Sequence, residues 1–419
     1  MRRHATRLGA ERVGLRGAAG FTLLELMVAL TLGGIAITSI YAIGAASTRT
    51  FYQQQRVAGL QTSVRAALAQ VKRDLSRAGF LATPAADRQG ETCGLPMSTL
   101  HDPSGSGGLS GVSKFIDNVN EGMAITGLDP TGNNPGEFSA DEVVLIGNYA
   151  TAAEYAGIEL LDPSTIGIDQ DWHGFTRDFT NLTTGTFDDA LFDEAFRVGR
   201  MIRIKTTRGL KHFAIITGVT KPNQGTQGPD DDALVQFTPA VPASCANDVD
   251  GGWVAPVSAI RYMVRDLAEG ARGVRFPATT GPVAQLLRRE VVPTDKTNSL
   301  DGTNLPDRSV LDYAVAFNLK FQSSQGSPQS YDRDQVDTAT ISGTAAQDLV
   351  RDNPEWIRSI SIDMAARSPH QDATLPFDAS LCGDLRCFQV FPPDEQPGAA
   401  RVRRVRAEVF VPNIAFENY

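Results

Sequence analysis

The sequence lacks the short motifs that mark the common enzyme classes. It has no HExxH metal motif, no GxSxG nucleophile motif, no Walker A phosphate loop and no GxGxxG dinucleotide motif. Histidine is also scarce, and the five histidines are scattered, so we expect each to lie at the surface. They are His4, His101, His173, His212 and His370. These absences favour a protein with no catalytic activity and no cofactor.

Acidic residues outnumber basic ones, but the excess is unevenly distributed. The net charge is −9, yet residues 1–20 carry five arginines and one glutamate, which leaves about −13 for the rest. Direct nucleic-acid binding is not expected of an acidic body, because phosphate contacts need clustered lysines and arginines. The basic start precedes an uncharged stretch, Leu26–Thr48. By the positive-inside rule, the amino terminus stays in the cytoplasm and the chain after residue 48 is exported.

A single carboxylate, Glu25, borders this uncharged stretch. The stretch is long enough, at 1.5 Å per residue, to cross a bilayer core of about 30 Å. An ionisable group at the centre of such a helix costs roughly 2.5–3.5 kcal/mol, so Glu25 marks a functional site. Over residues 53–80, apolar side chains recur every three or four positions, which predicts an amphipathic helix. Gly79 and Pro84 predict the end of one helix that begins at Phe21.

The remaining sequence predicts a β-rich head with long loops. Residues 83–140 are rich in Gly, Ser, Asp and Pro and are predicted to form loops, and residues 323–350 form a polar insertion. Thr207–Gly209 lies between two strand-like runs and predicts a hairpin turn. Strands are predicted at Glu142–Gly147, Met201–Thr206, Phe213–Val219, Ala233–Phe237, Ala259–Val264, Leu286–Glu290, Tyr313–Gln322, Trp356–Met364 and in the VRRVRAEVFV run.

Four cysteines predict two disulfides, because an even number of cysteines in an exported chain favours pairing. Cys382 and Cys387 are close in sequence and are predicted to bridge each other. Cys93 and Cys245 would then pair at long range. Zinc is the less favoured alternative, because CGDLRC does not have the usual two-residue spacing and no histidine lies near it.

Two aspartate-rich segments have a faint likeness to calcium loops. They are Asp230–Asp232 and the stretch from Asn247 to Gly252, which includes Asp248 and Asp250. The second lacks the third ligand pair and the distal glutamate of an EF-hand. Solvated loops are the favoured interpretation of both.

The segment Gly20–Leu26 (GFTLLEL) resembles the class III signal of type IV prepilins. The resemblance implies that a prepilin peptidase cuts after Gly20 and methylates the new amino terminus at Phe21. Glu25 lies one helical turn further, so it can pair with its own or a neighbour's amine when apolar helices pack in a filament. Loss of such a buried pair costs about 3–5 kcal/mol.

The wider chain resembles PilW-type minor pilins in several shorter segments. These are KRDLSRAGF, DEVVLIG, LLRRE, IRSISIDMAARS and RRVRAEVFVPNIAFEN. The resemblance implies a pilin-like α+β fold, with a long N-terminal helix packed on an antiparallel β-rich globular head. The expected segments are a leader peptide at 1–20, a hydrophobic transmembrane and assembly helix at 21–48, an amphipathic helix at 49–82 and the head at 83–419.

The resemblance also implies a minor pilin that helps to initiate a type IV pilus near its tip. Its expected partners are the prepilin peptidase and methyltransferase, other minor pilins, the major pilin and inner-membrane lipid. The head would be periplasmic before assembly and at the pilus or cell surface afterwards. Two alternatives stay open: a large pseudopilin of a type II secretion system, or a membrane-anchored periplasmic enzyme or binding protein, for which Gly44–Ala46 resembles an ordinary signal-peptidase site.

Overall fold

The structure is a computed structural model in which the described residues fall into several stretches. Contacts divide the chain into two units, residues 1–58 and 59–419, each of which is considered by itself. The described residues are 22–81, 92–93, 116–120, 140–181, 184–221, 232–266, 283–291, 308–323, 340–341, 357–373, 375, 387–390 and 398–411.

One helix, α1, runs without a break from Leu23 to Ser76 over 54 residues. No proline interrupts it, and the segment 77–81 that follows forms a turn. Gly79 has a φ of +79° in that turn, a left-handed conformation that glycine adopts at low cost. The helix therefore ends a few residues before the predicted position, and the turn brings the chain to the first sheet.

Fifteen strands and three short helices follow α1 among the described residues. The helices are α2 (His173–Phe179), α3 (Asp189–Ala195) and α4 (Ala243–Ala246). The strands are β1 (Ile116–Asn120), β2 (Glu142–Gly147), β3 (Tyr155–Asp162), β4 (Thr165–Ile168), β5 (Met201–Lys205), β6 (Lys211–Thr220), β7 (Ala233–Thr238), β8 (Gly252–Asp266), β9 (Ala284–Val291), β10 (Arg308–Asp312), β11 (Ala314–Ser323), β12 (Thr340–Ile341), β13 (Ile357–Arg367), β14 (Cys387–Phe388) and β15 (Ala400–Phe410).

The longest strand, β8, belongs to both a closed part and an open part of the first sheet. Its first half, residues 252–257, pairs with both β3 and β5, so that β8-β3-β4-β7-β6-β5 closes on itself. Its second half pairs with β2 on one side and β9 on the other, and β1 and β10 extend this open part. All pairings between these strands are antiparallel. The closed part encloses an apolar cluster that also includes phenylalanines of α2 and α3.

A second antiparallel sheet has the order β12-β11-β13-β15-β14. Its inner face, the open part of the first sheet and the last turns of α1 share one apolar core. Val64, Ala67, Val71 and Leu75 supply the helix side of this core and are at most 1% exposed. The predicted architecture, a long N-terminal helix packed on an antiparallel β-rich head, is confirmed.

The sequence analysis missed several elements. Strands β3 and β4 and helices α2 and α3 were not predicted, and β1 lies within the predicted loop region. Strand β3 carries charged, exposed residues, which obscure the alternation of a strand. Helices α2 and α3 have only seven residues each, too few to show a clear apolar period. Their phenylalanines are buried against apolar residues of the closed strand circuit, which sequence spacing does not reveal.

Candidate functional site

The amino-terminal end of α1 is a reciprocal cap formed by Thr22 and Glu25. The backbone N–H and the hydroxyl of Thr22 both donate to Oε2 of Glu25 at 3.0 Å. The backbone N–H of Glu25 donates in return to the Thr22 hydroxyl oxygen at 3.2 Å. This arrangement is a capping box, which satisfies backbone N–H groups that have no partner within the helix. The carboxylate also lies where the helix dipole favours a negative charge.

The predicted cleavage and methylation positions, Gly20 and Phe21, lie outside the described residues. Their roles therefore remain predictions. The first described residue, Thr22, would be the second residue of a chain cut after Gly20. The cap would then place the Glu25 carboxylate within one residue of the new terminus.

The helix that follows the cap exposes apolar side chains on all its faces. Between Leu23 and Thr48 every residue except Gly33 is exposed. The large side chains of this segment are from 49% to 78% exposed, Val28 and Tyr41 marking the two ends of that range. The helix is long and apolar enough to cross a membrane. An all-round apolar surface needs lipid or other helices around it.

A buried polar cluster joins the carboxyl-terminal turns of α1 to the head. Oδ2 of Asp74 accepts hydrogen bonds from the Tyr262 hydroxyl at 2.6 Å and from Nε of Arg288 at 2.7 Å. The backbone carbonyl of Asp74 accepts from the Tyr149 hydroxyl at 3.1 Å. Asp74 is only 7% exposed, and its buried charge is balanced by the ion pair with Arg288.

The surroundings of the cluster keep its phenols protonated. Burial, with the Asp74 carboxylate adding to it, raises the pKa of Tyr262. Burial and the same carboxylate raise the pKa of Tyr149. Burial lowers the pKa of Arg288, but its ion pair and hydrogen bond with Asp74 outweigh burial and the net change is a rise. Both phenols therefore remain donors and Arg288 remains charged.

Sequence reasoning missed this cluster, although one signal for it was present. Asp74 follows Val71 by three residues and precedes Ala78 by four, so it lies on the apolar stripe of the helix. An acidic residue on a buried stripe requires a donor from the surrounding structure. The identities of Tyr262 and Arg288 could not be read from spacing, because both are about 200 residues away.

The turn after α1 adds backbone contacts to strand β2. The Gly79 N–H donates to the Ile146 carbonyl, and the Asn148 N–H donates to the Phe80 carbonyl, both at 2.8 Å. A Cβ on Gly147 would lie 2.6 Å from the Arg77 carbonyl oxygen, so only glycine fits this close approach. The end of the helix is therefore held by side-chain and backbone bonds together.

The described cysteines are paired. Cys93 and Cys245 form the predicted long-range disulfide, with Cα atoms 5.9 Å apart and a sequence separation of 152. Cys387 is buried and also disulfide-bonded, which disfavours a zinc ligand at that position. Cys382 lies outside the described residues, so its bridge to Cys387 remains a prediction.

The expectation that every histidine lies at the surface is wrong for His212, which is 2% exposed. Its Nδ1 lies 3.0 Å from the Cys93 carbonyl oxygen and its Nε2 lies 3.0 Å from the Pro239 carbonyl oxygen. Strand β6 is wholly within the closed circuit, and a carbonyl oxygen at hydrogen-bond distance from each ring nitrogen provides an acceptor for the imidazole N–H. His173 is exposed and His370 is partly exposed, whereas His4 and His101 lie outside the described residues.

The calcium candidates have structural roles where they are described. Asp248 pairs with Arg208 at 3.0 Å, and Oδ1 of Asp250 accepts from the Leu160 N–H at 2.7 Å. Asp230 and Asp231 lie outside the described residues. Within the described part of the chain, no group of three or more His, Cys, Asp or Glu side chains could hold a metal ion.

Comparison with known proteins finds a likeness at this amino-terminal site. A family described as "Prokaryotic N-terminal methylation motif" matches residues 15–41. Among solved structures, a type IV-like pilin from Thermus thermophilus matches with 12% identity and a TM-score of 0.17, covering 54% of this chain and 92% of that one. No curated protein matches the chain. The amino-terminal segment, with Glu25 in its capping box, therefore matches a prokaryotic N-terminal methylation motif.

Proposed function

We propose that this chain is a minor pilin, a structural subunit that helps to initiate a type IV pilus. One observation carries the proposal: the Thr22–Glu25 cap opens a helix whose apolar side chains are exposed all round. The methylation motif over residues 15–41 covers this same cap and the first turns of the apolar helix. A subunit of this kind rests in the inner membrane and leaves it for a filament, so it needs no catalytic site.

The cap suggests how Glu25 takes part in assembly. Both bonds donated by Thr22 end on Oε2, and the carboxylate has a second oxygen, Oε1, that can accept from an amine. After cleavage behind Gly20, the Phe21 amine of the same or a neighbouring subunit would supply that donor. Burial of the pair between apolar helices would fix the axial position of one subunit against the next.

The head favours a place at or near the filament tip. The segment assigned to the head, residues 83–419, makes up most of the chain, and a bulky subunit hinders the regular stacking that a major pilin requires. The Asp74 cluster and the turn contacts would hold such a head on its helix during extraction from lipid. This role has no need of a bound cofactor.

The amino terminus of the mature chain tests the proposal. Mass spectrometry of the chain isolated from its native cell is expected to find methyl-Phe21 as the first residue. A chain that begins at Ser47 would instead indicate ordinary signal peptidase and a secreted enzyme or binding protein. Quantitative mass spectrometry of sheared filaments is expected to find this subunit far below the major pilin. Equal abundance would overturn the minor-pilin role.

A further inference from the structure

The residues just beyond the uncharged run combine aromatic and cationic side chains on one exposed segment of α1. Phe51 and Tyr52 are 63% and 57% exposed, and their rings meet edge to face with centroids 6.1 Å apart. Arg49 and Arg56 are exposed on either side of the pair. Two exposed aromatic rings on a helix are costly in water, which indicates that another environment surrounds them.

The length of the uncharged run places this segment at the edge of a bilayer. Leu26–Thr48 has 23 residues and spans about 34 Å as a helix, slightly more than a hydrocarbon core of about 30 Å. With the run inside the membrane, Phe51 and Tyr52 reach the headgroup level on the side opposite the amino terminus. Aromatic rings are enriched at this level, where an apolar ring and a polar edge are both accommodated.

The cationic side chains near Phe51 and Tyr52 favour a partner with negative charge. Between Glu25 and Asp74 the helix carries only cations: Arg49, Arg56, Arg65, Lys72 and Arg73. Arg49 and Arg56 are seven residues apart, so they lie on the same face two turns from each other. No acidic residue of this helical segment can neutralise them, and lipid headgroups that carry phosphate without a balancing amine can do so.

We propose that Arg49, Phe51, Tyr52 and Arg56 form an interfacial anchor that binds anionic phospholipid headgroups on the exported side of the membrane. The aromatic pair sets the depth of the helix, and the two arginines select acidic over zwitterionic lipid. This proposal depends on the proposed function, in which the subunit rests in the membrane, and it specifies the lipid that the resting subunit binds. Its consequence is a subunit held at a defined depth until assembly.

The test uses the full-length chain reconstituted in phosphatidylcholine vesicles with trace spin-labelled lipid. Electron paramagnetic resonance measures the preference of the protein for spin-labelled phosphatidylglycerol over phosphatidylcholine. The double variant Arg49→Gln/Arg56→Gln is expected to lower this preference at least fivefold. The control Arg65→Gln/Lys72→Gln removes the same charge from exposed positions further along α1 and is expected to leave the preference unchanged.

A nitroxide at Gln54→Cys reports the aromatic contribution. Phe51→Ala/Tyr52→Ala is expected to make this label more accessible to a water-soluble nickel reagent than in the otherwise unchanged chain. The anchor is overturned if both double variants behave as the parent chain does, or if the control variant lowers lipid preference as much as the Arg49/Arg56 variant.

A second label separates the anchor from the topology beneath it. A nitroxide at Ala36→Cys, in the middle of the apolar run, is expected to be accessible to oxygen and shielded from the nickel reagent. A water-accessible label there would overturn the membrane-spanning state and the anchor together. A lipid-buried label at position 36, combined with a lipid preference that Arg49→Gln/Arg56→Gln leaves unchanged, would overturn the anchor but not the membrane-spanning state.

Discussion

The Asp74 carboxylate near the end of α1 accepts a 2.6 Å hydrogen bond from the phenol of Tyr262 on β8. The same oxygen accepts from Arg288 on β9, so one helix residue contacts two adjacent strands of the head. Because the three side chains are mostly buried, each depends on the others for its polar contacts.

Replacement of Asp74 by alanine is expected to destabilise the head strongly. It removes the partner of Arg288 and one acceptor of Tyr262, and the loss of one member of a buried ion pair costs about 3–5 kcal/mol. Urea unfolding of the full chain in detergent, followed by tryptophan fluorescence, measures the change. Arg73→Gln, on the exposed face next to it, is expected to change the unfolding free energy by less than about 0.5 kcal/mol. Equal effects of the two variants would contradict a specific role for Asp74.

The raised pKa of Tyr262 predicts a loss of stability in strong alkali. The unfolded phenol titrates near pH 10, whereas the folded phenol holds its proton to higher pH. Above pH 10 the folded state therefore binds more protons than the unfolded state, and the unfolding free energy falls as pH rises. The stabilisation is complete below pH 10. Tyr262→Phe is expected to flatten the decline measured by urea unfolding between pH 9 and 11.5, and an unchanged slope would contradict the assignment.

Replacement of Glu25 is expected to separate processing from assembly. Glu25→Gln keeps the size of the side chain but removes the charge that would pair with the Phe21 amine. We expect a normally cut and methylated chain that is absent from sheared filaments, as measured by mass spectrometry and immunoblotting.

Thr22→Val is the matched control at the same site. It removes the hydroxyl bonds of the cap, at a cost of about 1 kcal/mol, but leaves the carboxylate charged. We expect this variant to enter filaments. Wild-type amounts of Glu25→Gln in filaments would show that the charge is not needed for assembly.

The two predicted disulfides are expected to differ in their effect on stability. The bridge between Cys93 and Cys245 spans 152 residues, for which chain entropy gives about 5 kcal/mol, against about 2 kcal/mol for the short loop of Cys382 and Cys387. Serine pairs at each site, compared by urea unfolding, measure the order. A larger loss at the short loop would show that loop entropy does not dominate here.

The amino-terminal helix was largely predictable from sequence, because its signals are local. The uncharged run and the apolar stripe each extend over several turns of one helix, and α1 confirms their continuity. The Thr22–Glu25 capping box was not predicted, although the Thr-x-x-Glu spacing of these residues is its sequence signature.

The head was less predictable, because its organisation depends on distant pairings. Strand β8 was predicted only over Ala259–Val264 in its second half, because its first half is a strand through pairing with β3 and β5. His212 was expected at the surface because a single residue gives no sign of the two carbonyl oxygens that lie at hydrogen-bond distance from its ring nitrogens. Burial and partner choice at such positions are decided by tertiary structure rather than by local propensity.

The double membership of β8 has a mechanical consequence. A pull on the last turns of α1 reaches the head through Asp74 and Tyr262, in the second half of β8. Removing β8 there requires its hydrogen bonds to the neighbouring strands on both sides to break. Its first half belongs to the closed strand circuit, where it is also paired on both sides. Tension along the helix is therefore shared by the closed and the open part of the first sheet before strands separate in either, so we expect the head to remain folded under forces that would unravel a strand at a sheet edge.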